Sequence, residues 1–463
     1  MNLSQNGNTP DLAAKLLDFV DSVEFADLTP QAVDYCKLLV MDTLGVGLPG
    51  SKAPGCKEVV EQFTQLGGTG PSTLLVDGRR LAPPLAALAN GTMMHALDFD
   101  DTLDVSALHC MVSLLPATLA TAEAQGGMDG KSLITALVLG TEIICRVSLA
   151  INTPLSWIRS ATCGSFGAAA AVAKMLGLDR QKLNDALGIV YAQCAGNAQG
   201  LIEGRLIKRM QPGFAAQAGV ISGYLARGGI TGSRDFLEGT YGYYRLYERD
   251  QYDPTPVLEG LGGDLQINHL SIKPYPCCRM THSAIDGALM LRDSLSDRLD
   301  QIEAIEVSAS QMVKDMVGKP FEVGENPQVD AQFSIPYTVA AALLRGDIFL
   351  SDFEEAAIND SGALDLAAKV NVTADPNLPA KDLMKAKISA RLAGGEVMQT
   401  KVEAPLGNPA KPMTLDLCRE KFYKCLQYSG VSLPASQVDE LLAMIQDLEN
   451  CPDVSRLVGL LCK

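Results

Sequence analysis

Gly167-Ala168-Ala169-Ala170-Ala171-Val172-Ala173-Lys174 decides the architecture of this chain. Up to Lys174 the side chains are methyls or little more, so the helix they form has no polar face, and such a helix is buried on all sides. It needs other helices around it, and the flanking sequence supplies them. Leu12, Leu16, Phe19 and Val20 follow helical spacing. So do Val33, Cys36, Leu39, Val40 and Leu44, in a helix expected to start at Thr29-Pro30, with Thr as cap and Pro at the first position. Further helices are expected at Pro83 to Leu97, Pro116 to Ala124, Ser132 to Ser148, Gly167 to Leu176, Arg180 to Gln193 and Phe214 to Arg227.

The pattern changes near Leu258 to Asp264. Glycines at 260, 262 and 263 lead into Leu265 to Ile272, which reads as a strand. Ile302 to Ser308 and Val370 to Thr373 alternate apolar and polar residues as half-buried strands do, and Ala386 to Leu392 with Glu396 to Glu403 form a hairpin around Gly394-Gly395. Helices at Thr281 to Leu295 and Ile335 to Arg345 lie between them. After Pro405 the chain is helical again, over Thr414 to Tyr428, Ala435 to Leu448 and Val454 to Leu461. The expected fold is mainly α. A large all-helical domain, discontinuous in sequence (1–264 and 405–463), is joined to a smaller α+β domain at 265–404.

At 463 residues the chain exceeds the usual size of one hydrophobic core, which agrees with two domains. Its formal net charge of -16 repels nucleic acid and anionic lipid, so neither is an expected partner. Any anion site must be a local cationic pocket in an acidic shell. The 12 cysteines include no CxxC pair, which argues against structural zinc and iron–sulfur sites; dispersed thiols fit a reducing compartment. Met1 to Pro10 lacks the basic and apolar regions of a signal peptide. No stretch reaches about 18 uninterrupted apolar residues, so no membrane helix is expected. The expectation is a cytoplasmic protein.

Five segments carry candidate chemistry. His95-Ala-Leu-Asp-Phe-Asp-Asp-Thr102, followed by His109, holds three aspartates and two histidines among apolar helices, where unpaired burial would be costly. His109 is a candidate general acid or base, with Asp98 or Asp101 orienting it. The same set is also a candidate metal site, or a solvated loop after a helix. Ser156-Trp-Ile-Arg-Ser-Ala-Thr-Cys-Gly-Ser-Phe-Gly167 precedes the Ala-rich stretch. Arg159 there is a candidate carboxylate clamp at a helix N-terminus; alternatively, Thr162 or Ser165 is an ordinary cap.

Arg205, Lys208 and Arg209 place three cations within five residues. Lys273-Pro-Tyr-Pro-Cys-Cys-Arg279-Met-Thr-His282 is a proline-stiffened loop whose Lys273, Tyr275, Cys278, Arg279 and His282 are candidate functional groups, or a linker with incidental polar residues. Tyr337, in Gln332-Phe-Ser-Ile-Pro-Tyr337, is either a proton donor or a core tyrosine bonded to a carbonyl.

In their order and spacing these segments resemble the MmgE/PrpD family over nearly the whole chain. The resemblance rests on Asn90-Gly through Thr102, Thr162-Cys-Gly-Ser-Phe-Gly-Ala-Ala-Ala-Ala171, Lys208-Arg209, Lys273-Pro-Tyr-Pro through His282, and Phe333-Ser-Ile-Pro-Tyr337. It implies a helical main domain with an α+β lid and an active site between them, a homodimer, and chemistry without metal or cofactor on a small di- or tricarboxylate. It also implies a pocket containing Asp98, Thr102, His109, Lys208, Lys273 and Tyr337; read from the segments themselves, Arg159, Cys278, Arg279 and His282 are further substrate-binding candidates. Two positions depart from the family pattern. Trp157-Ile158-Arg159-Ser160 stands where an aromatic-His-Pro-Thr motif is common, and Gln211 stands where histidine is common.

The expected chemistry begins with removal of a proton alpha to a carboxylate, with Lys208 and Lys273 stabilising the charge that develops. A 2-methylcitrate dehydratase-like hydro-lyase is the first expectation. An iminodisuccinate epimerase-like isomerase, a cis-aconitate-type decarboxylase and a catalytically degenerate carboxylate-binding protein are the alternatives.

Overall fold

In the computed structural model, residues 11–67 and 69–462 are described; the polar Met1 to Pro10 segment lies outside them. The chain divides into two compact units. The first comprises residues up to Ala96, Asp100–His269 and Phe422 onward, and the second comprises Leu97–Phe99 and Leu270–Lys421.

The first unit is a helical array. Its main members are α1 (Pro30–Gly50), α2 (Pro83–His95), α3 (Met111–Ala124), α4 (Gly130–Leu149), α5 (Arg159–Met175) and α6 (Ile207–Arg227). As its composition requires, α5 is the centre: Ser160 through Ala173 are all buried. Small residues let backbones nearly touch. A Cβ added to Gly167 would lie 2.2 Å from Ile144 Cγ1 and 2.6 Å from the Gly140 carbonyl oxygen of α4, and one at Gly219 of α6 would lie 2.5 Å from Ala168 Cβ. Helix α4 is long and apolar enough to cross a membrane, but 89% of its apolar window is buried inside the protein, as befits a core helix.

Two local expectations are corrected. Helix α5 begins at Arg159, with no side-chain cap from Ile158, so Thr162 and Ser165 are interior residues and not caps. Thr162 Oγ1 pairs with the Tyr243 hydroxyl at 3.0 Å, and Ser165 Oγ donates to the Ala161 carbonyl at 2.8 Å. Leu265 to Ile272 is not a strand; Gln266–His269 forms a 3-10 turn. Side chains hold the backbone leading into this segment and its first turn. Buried Arg146 donates to the carbonyls of Val257, Glu259 and Gly260 at 2.8–3.3 Å, and its ion-pair partner Glu142 accepts from the Gln266 amide.

The second unit contains a four-stranded sheet of β1 (Ile302–Ala309), β2 (Val370–Ala374), β3 (Ala386–Leu392) and β4 (Val397–Val402), in the order β2-β1-β3-β4. Strand β1 pairs in parallel with β2 (Val307 opposite Val372) and antiparallel with β3 (Val307 opposite Ile388). The β3–β4 pair is the expected hairpin, closed by Gly394 and Gly395, both at positive φ. Helices α7 (His282–Leu295) and α8 (Ile335–Arg345) share its core, which includes Ile285, Ala288, Ile305, Val307, Val339, Ile388 and Leu392. The C-terminal helix α9 (Leu415–Ser429) contains the division between the units, at Lys421 and Phe422.

Candidate active site

Helix α2 ends at His95, and the segment that follows is fixed by its own aspartates. Asp101 is fully buried. Its Oδ2 and Oδ1 each accept at 3.0 Å from the backbone N–H of Cys110 and Met111, so this side chain caps α3 from ten residues upstream. Burial, followed by the neighbouring Asp100 charge, pushes the Asp101 carboxyl up to about 7 against those two donors.

The cap places His109 just before α3. Its N–H donates to Ser160 Oγ at 2.9 Å, and its Nδ1 lies 2.6 Å from the Asp101 carbonyl oxygen and 3.0 Å from Asp100 Oδ2. Both neighbours only accept, so Nδ1 carries a hydrogen and the neutral ring has its lone pair on Nε2. No hydrogen bond engages that Nε2 among the described residues. His95 Nδ1 lies 2.8 Å from the same Asp100 Oδ2, and the two imidazoles meet edge to face, 4.9 Å between centroids.

Burial lowers the His95 imidazole to about 4; Asp100 opposes this and Lys208 adds to it. Burial alone would raise Asp100, but His109 and His95 hold it well below the carboxylate range. Donor atoms of His95, Asp100 and His109 lie within 4.8 Å of one another, the spacing of a metal-ligand set. Their geometry favours hydrogen bonding over ligation: one carboxylate oxygen is spent on both Nδ1 atoms, and His109 Nδ1 also meets a carbonyl.

The remaining candidates of this unit lie on its other segments. Lys208 is half-buried in the first turn of α6, near enough to depress His95. Thr102 is buried in the loop between Asp101 and His109. Arg159 donates to the Thr153 carbonyl at 2.9 Å and to Ser106 Oγ at 3.4 Å, tying down the loop that leads to His109. Ile158 sits in an apolar cluster with Ala161 and Ala198. The Gln211 amide closes on the backbone of Asn197, accepting from its N–H at 2.7 Å and donating to its carbonyl at 3.1 Å.

In the second unit the candidates group around Asp98. Buried Lys273 donates from Nζ to the Asp98 carbonyl at 2.9 Å, and its ammonium lies 3.4 Å from Asp98 Oδ2. Lys421 Nζ donates to the Phe99 carbonyl at 2.9 Å and the Lys273 carbonyl at 2.7 Å, and lies 3.8 Å from the Phe99 ring centroid. Gln332 Nε2 donates to the carbonyls of Leu97 and Pro276 at 3.2 and 2.8 Å.

Arg279 donates to the Leu406 carbonyl and to His282 Nδ1, both at 3.0 Å. Burial, then Arg279 and Lys273, hold His282 well below its ordinary range, so it is neutral, with Nε2–H toward the Cys277 carbonyl at 3.3 Å. Cys278 is half-buried, and its N–H donates to the Gln332 carbonyl. Tyr275 donates to Asp286 Oδ1 at 2.8 Å. Tyr337 is buried and donates its hydroxyl to the Asp352 carbonyl; burial raises its phenol despite Arg345 beside it.

The structure therefore unites Asp98 with Lys273, and His109 with Lys208's neighbour His95, while the Tyr337 hydroxyl is engaged elsewhere. Sequence reasoning took His95 and Asp100 only as members of a candidate metal set, and it gave no role to Gln332 or Lys421. The first two lie in the quoted Asp/His segment, but nothing in the sequence ranks one aspartate above another. Gln332 and Lys421 carried no signal, because their partners lie 235 and 322 residues away along the chain.

Comparison with known proteins identifies the family of the chain. The MmgE/PrpD N-terminal domain family matches residues 14–255, and the MmgE/PrpD C-terminal domain family matches residues 275–450. The chain is 28% identical to a cis-aconitate decarboxylase-like protein of Aspergillus oryzae, over 98% of both chains. It is 28% identical to cis-aconitate decarboxylase of Homo sapiens, over 96% of this chain and 92% of that one. It is 26% identical to 2-methylcitrate dehydratase of Cupriavidus necator, over 89% and 90%.

Proposed function

The chain belongs to the MmgE/PrpD family of lyases, and from that premise we propose that it is a decarboxylase of a small unsaturated tricarboxylate of the cis-aconitate type, working without metal or organic cofactor. The carbon–carbon bond to the departing carboxylate breaks and CO₂ leaves. The electron pair stays on carbon, spread toward a remaining carboxylate, and Lys208 and Lys273 stabilise that charge as it develops. His109, having first taken a proton from solvent on Nε2, then delivers that proton to carbon and returns to the neutral ring. Asp98, Thr102 and Arg159 shape and bind the substrate end. Cys278, Arg279 and His282 stiffen the loop that carries Lys273.

One observation carries the choice among family reactions. His109 is a half-buried histidine whose Nδ1 is occupied and whose Nε2 is left for chemistry, whereas the hydroxyl of Tyr337 and both ring nitrogens of His282 are engaged. Decarboxylation needs one proton delivered. Epimerisation needs carriers on two faces, and dehydration needs a base for carbon and an acid for the leaving hydroxyl. The length of the likeness to cis-aconitate decarboxylases also supports this reading. Dehydration of a 2-methylcitrate-like acid is the second reading, supported by the Cupriavidus necator relative.

The test is proton and carbon NMR in D₂O with cis-aconitate, citrate, 2-methylcitrate and iminodisuccinate. CO₂ release with one deuterium on the product is expected from cis-aconitate. A new alkene without CO₂ would establish dehydration, deuterium exchange alone would establish epimerisation, and inertness across the panel would overturn the enzyme reading. The proposal also includes a cytoplasmic homodimer. Exposed Ile202, Leu206 and Ile207 support an association surface, and light scattering at micromolar concentration tests it.

A further inference from the structure

Asp100 is fully buried, and its partners set it apart from its neighbour. Asp101 does structural work, capping a helix through two backbone N–H groups. The hydrogen bonds to Asp100 come from two imidazoles, both to Oδ2, while its buried Oδ1 has no hydrogen-bond partner. Burying a carboxylate on such terms is costly, and burial of His95 beside it adds to that cost.

We infer that Asp100 is the positioning residue of the site: it holds Nδ1–H of His109, so that Nε2 is the atom that exchanges a proton, and it supplies the countercharge when His109 is protonated. This deepens the proposed function and rests on its reading of His109. Four contacts fix His109. Nδ1 is held by Asp100 Oδ2 and the Asp101 carbonyl, the backbone N–H is held by Ser160 Oγ, and the edge-to-face contact with His95 limits ring rotation.

The two histidines divide the work by exposure. His95 is enclosed, whereas the His109 side chain keeps 14% of its surface open. His109 is thus the member that can trade protons with substrate and solvent, and His95 buttresses the shared carboxylate. A carboxylate behind an imidazole in this way fixes its tautomer and stabilises the imidazolium that forms during turnover.

The test has two arms. Only four histidines occur in the chain, so ¹⁵N-histidine NMR can be assigned from single His→Gln variants. In the parent protein the neutral His109 ring is expected to carry its hydrogen on Nδ1. A neutral ring carrying its hydrogen on Nε2 would overturn the inference whatever the activity, and this arm needs no Asp100 variant to fold.

The second arm is a double-mutant cycle with cis-aconitate. Asp100→Asn should lower kcat at least 100-fold with KM changed less than about threefold, and in the His109→Ala background it should change kcat less than threefold. A further 100-fold loss in that background would show that Asp100 acts apart from His109 and would overturn the inference. Full turnover by His109→Ala, with the expected tautomer still seen, would overturn the proposed function and the catalytic part of this inference, leaving the orienting contact established.

Discussion

Lys273 Nζ lies 2.9 Å from the carbonyl oxygen of Asp98, and Asp98 has a φ of 54°, in the left-handed region that non-glycine residues seldom occupy. One buried ammonium therefore touches both the backbone and the carboxylate of a strained residue. Lys421 repeats the device on the next peptide, and its second hydrogen bond, to the Lys273 carbonyl, joins the two contacts. Strain of this kind persists only where its surroundings over-determine it, and it clusters at functional sites.

Lys273→Met should lower kcat/KM for the preferred tricarboxylate by at least 100-fold, because it removes a charge proposed to meet the developing anion and releases Asp98 from its conformation. Steady-state kinetics check this. Wild-type values in the variant would remove Lys273 from the mechanism.

Lys421→Met should act on stability first. Two carbonyls lose a charged donor, a loss of about 3–6 kcal/mol from the two bonds. Urea unfolding monitored by circular dichroism measures it. A change below about 0.5 kcal/mol would show that water replaces the ammonium without cost.

Chelation should leave turnover unchanged. The Asp100 oxygen shared by His95 and His109 is held at hydrogen-bond distances of 2.8 and 3.0 Å from their Nδ1 atoms. The check is the rate after exhaustive dialysis against EDTA and again after adding back zinc or ferrous iron. A rate abolished by EDTA and restored by one ion would reassign the three residues as ligands.

Stability should fall on the acid side through His95. Its folded value is about 4 and its ordinary value 6.5, so between these pH values the unfolded chain takes up a proton that the folded protein refuses. His95 therefore removes up to about 3 kcal/mol as pH drops from 6.5 toward 4 and has no such effect above that window. Thermal melts of the parent and of His95→Gln from pH 4 to 7.5 compare the slopes, and the variant should be the flatter. Parallel curves would show that His95 is protonated in the fold.

Gly167→Ala should destabilise by about 1–3 kcal/mol, since the new methyl would meet Ile144 and the Gly140 carbonyl at the closest approach of α4 and α5. A lowered denaturation midpoint at unchanged slope is the expected result. An unchanged midpoint would show that α4 can move aside.

Much of this was legible in the residues themselves. Helix α5 is buried because Gly167 to Ala173 offers no polar face, and the β3–β4 hairpin follows from alternating residues around Gly394-Gly395; both are local patterns with a fixed period. The segment from Leu265 to Ile272 was misread because its backbone is satisfied from a distance, the Gln266 amide by Glu142 and the Ile272 amide by the Gly407 carbonyl, and no local pattern records that.

The order of the Asp/His, Lys-Arg and Lys-Pro-Tyr-Pro segments likewise indicated the family, since it is carried by the chain's linear text. What each aspartate does was decided only by tertiary structure. Asp98, Asp100 and Asp101 lie within four residues, and sequence alone treats them alike. Folding gives the first a lysine, the second two imidazoles and the third a helix N-terminus. A carboxylate's role is set by the donors that surround it and by its removal from water, and those donors arrive from up to 175 residues away.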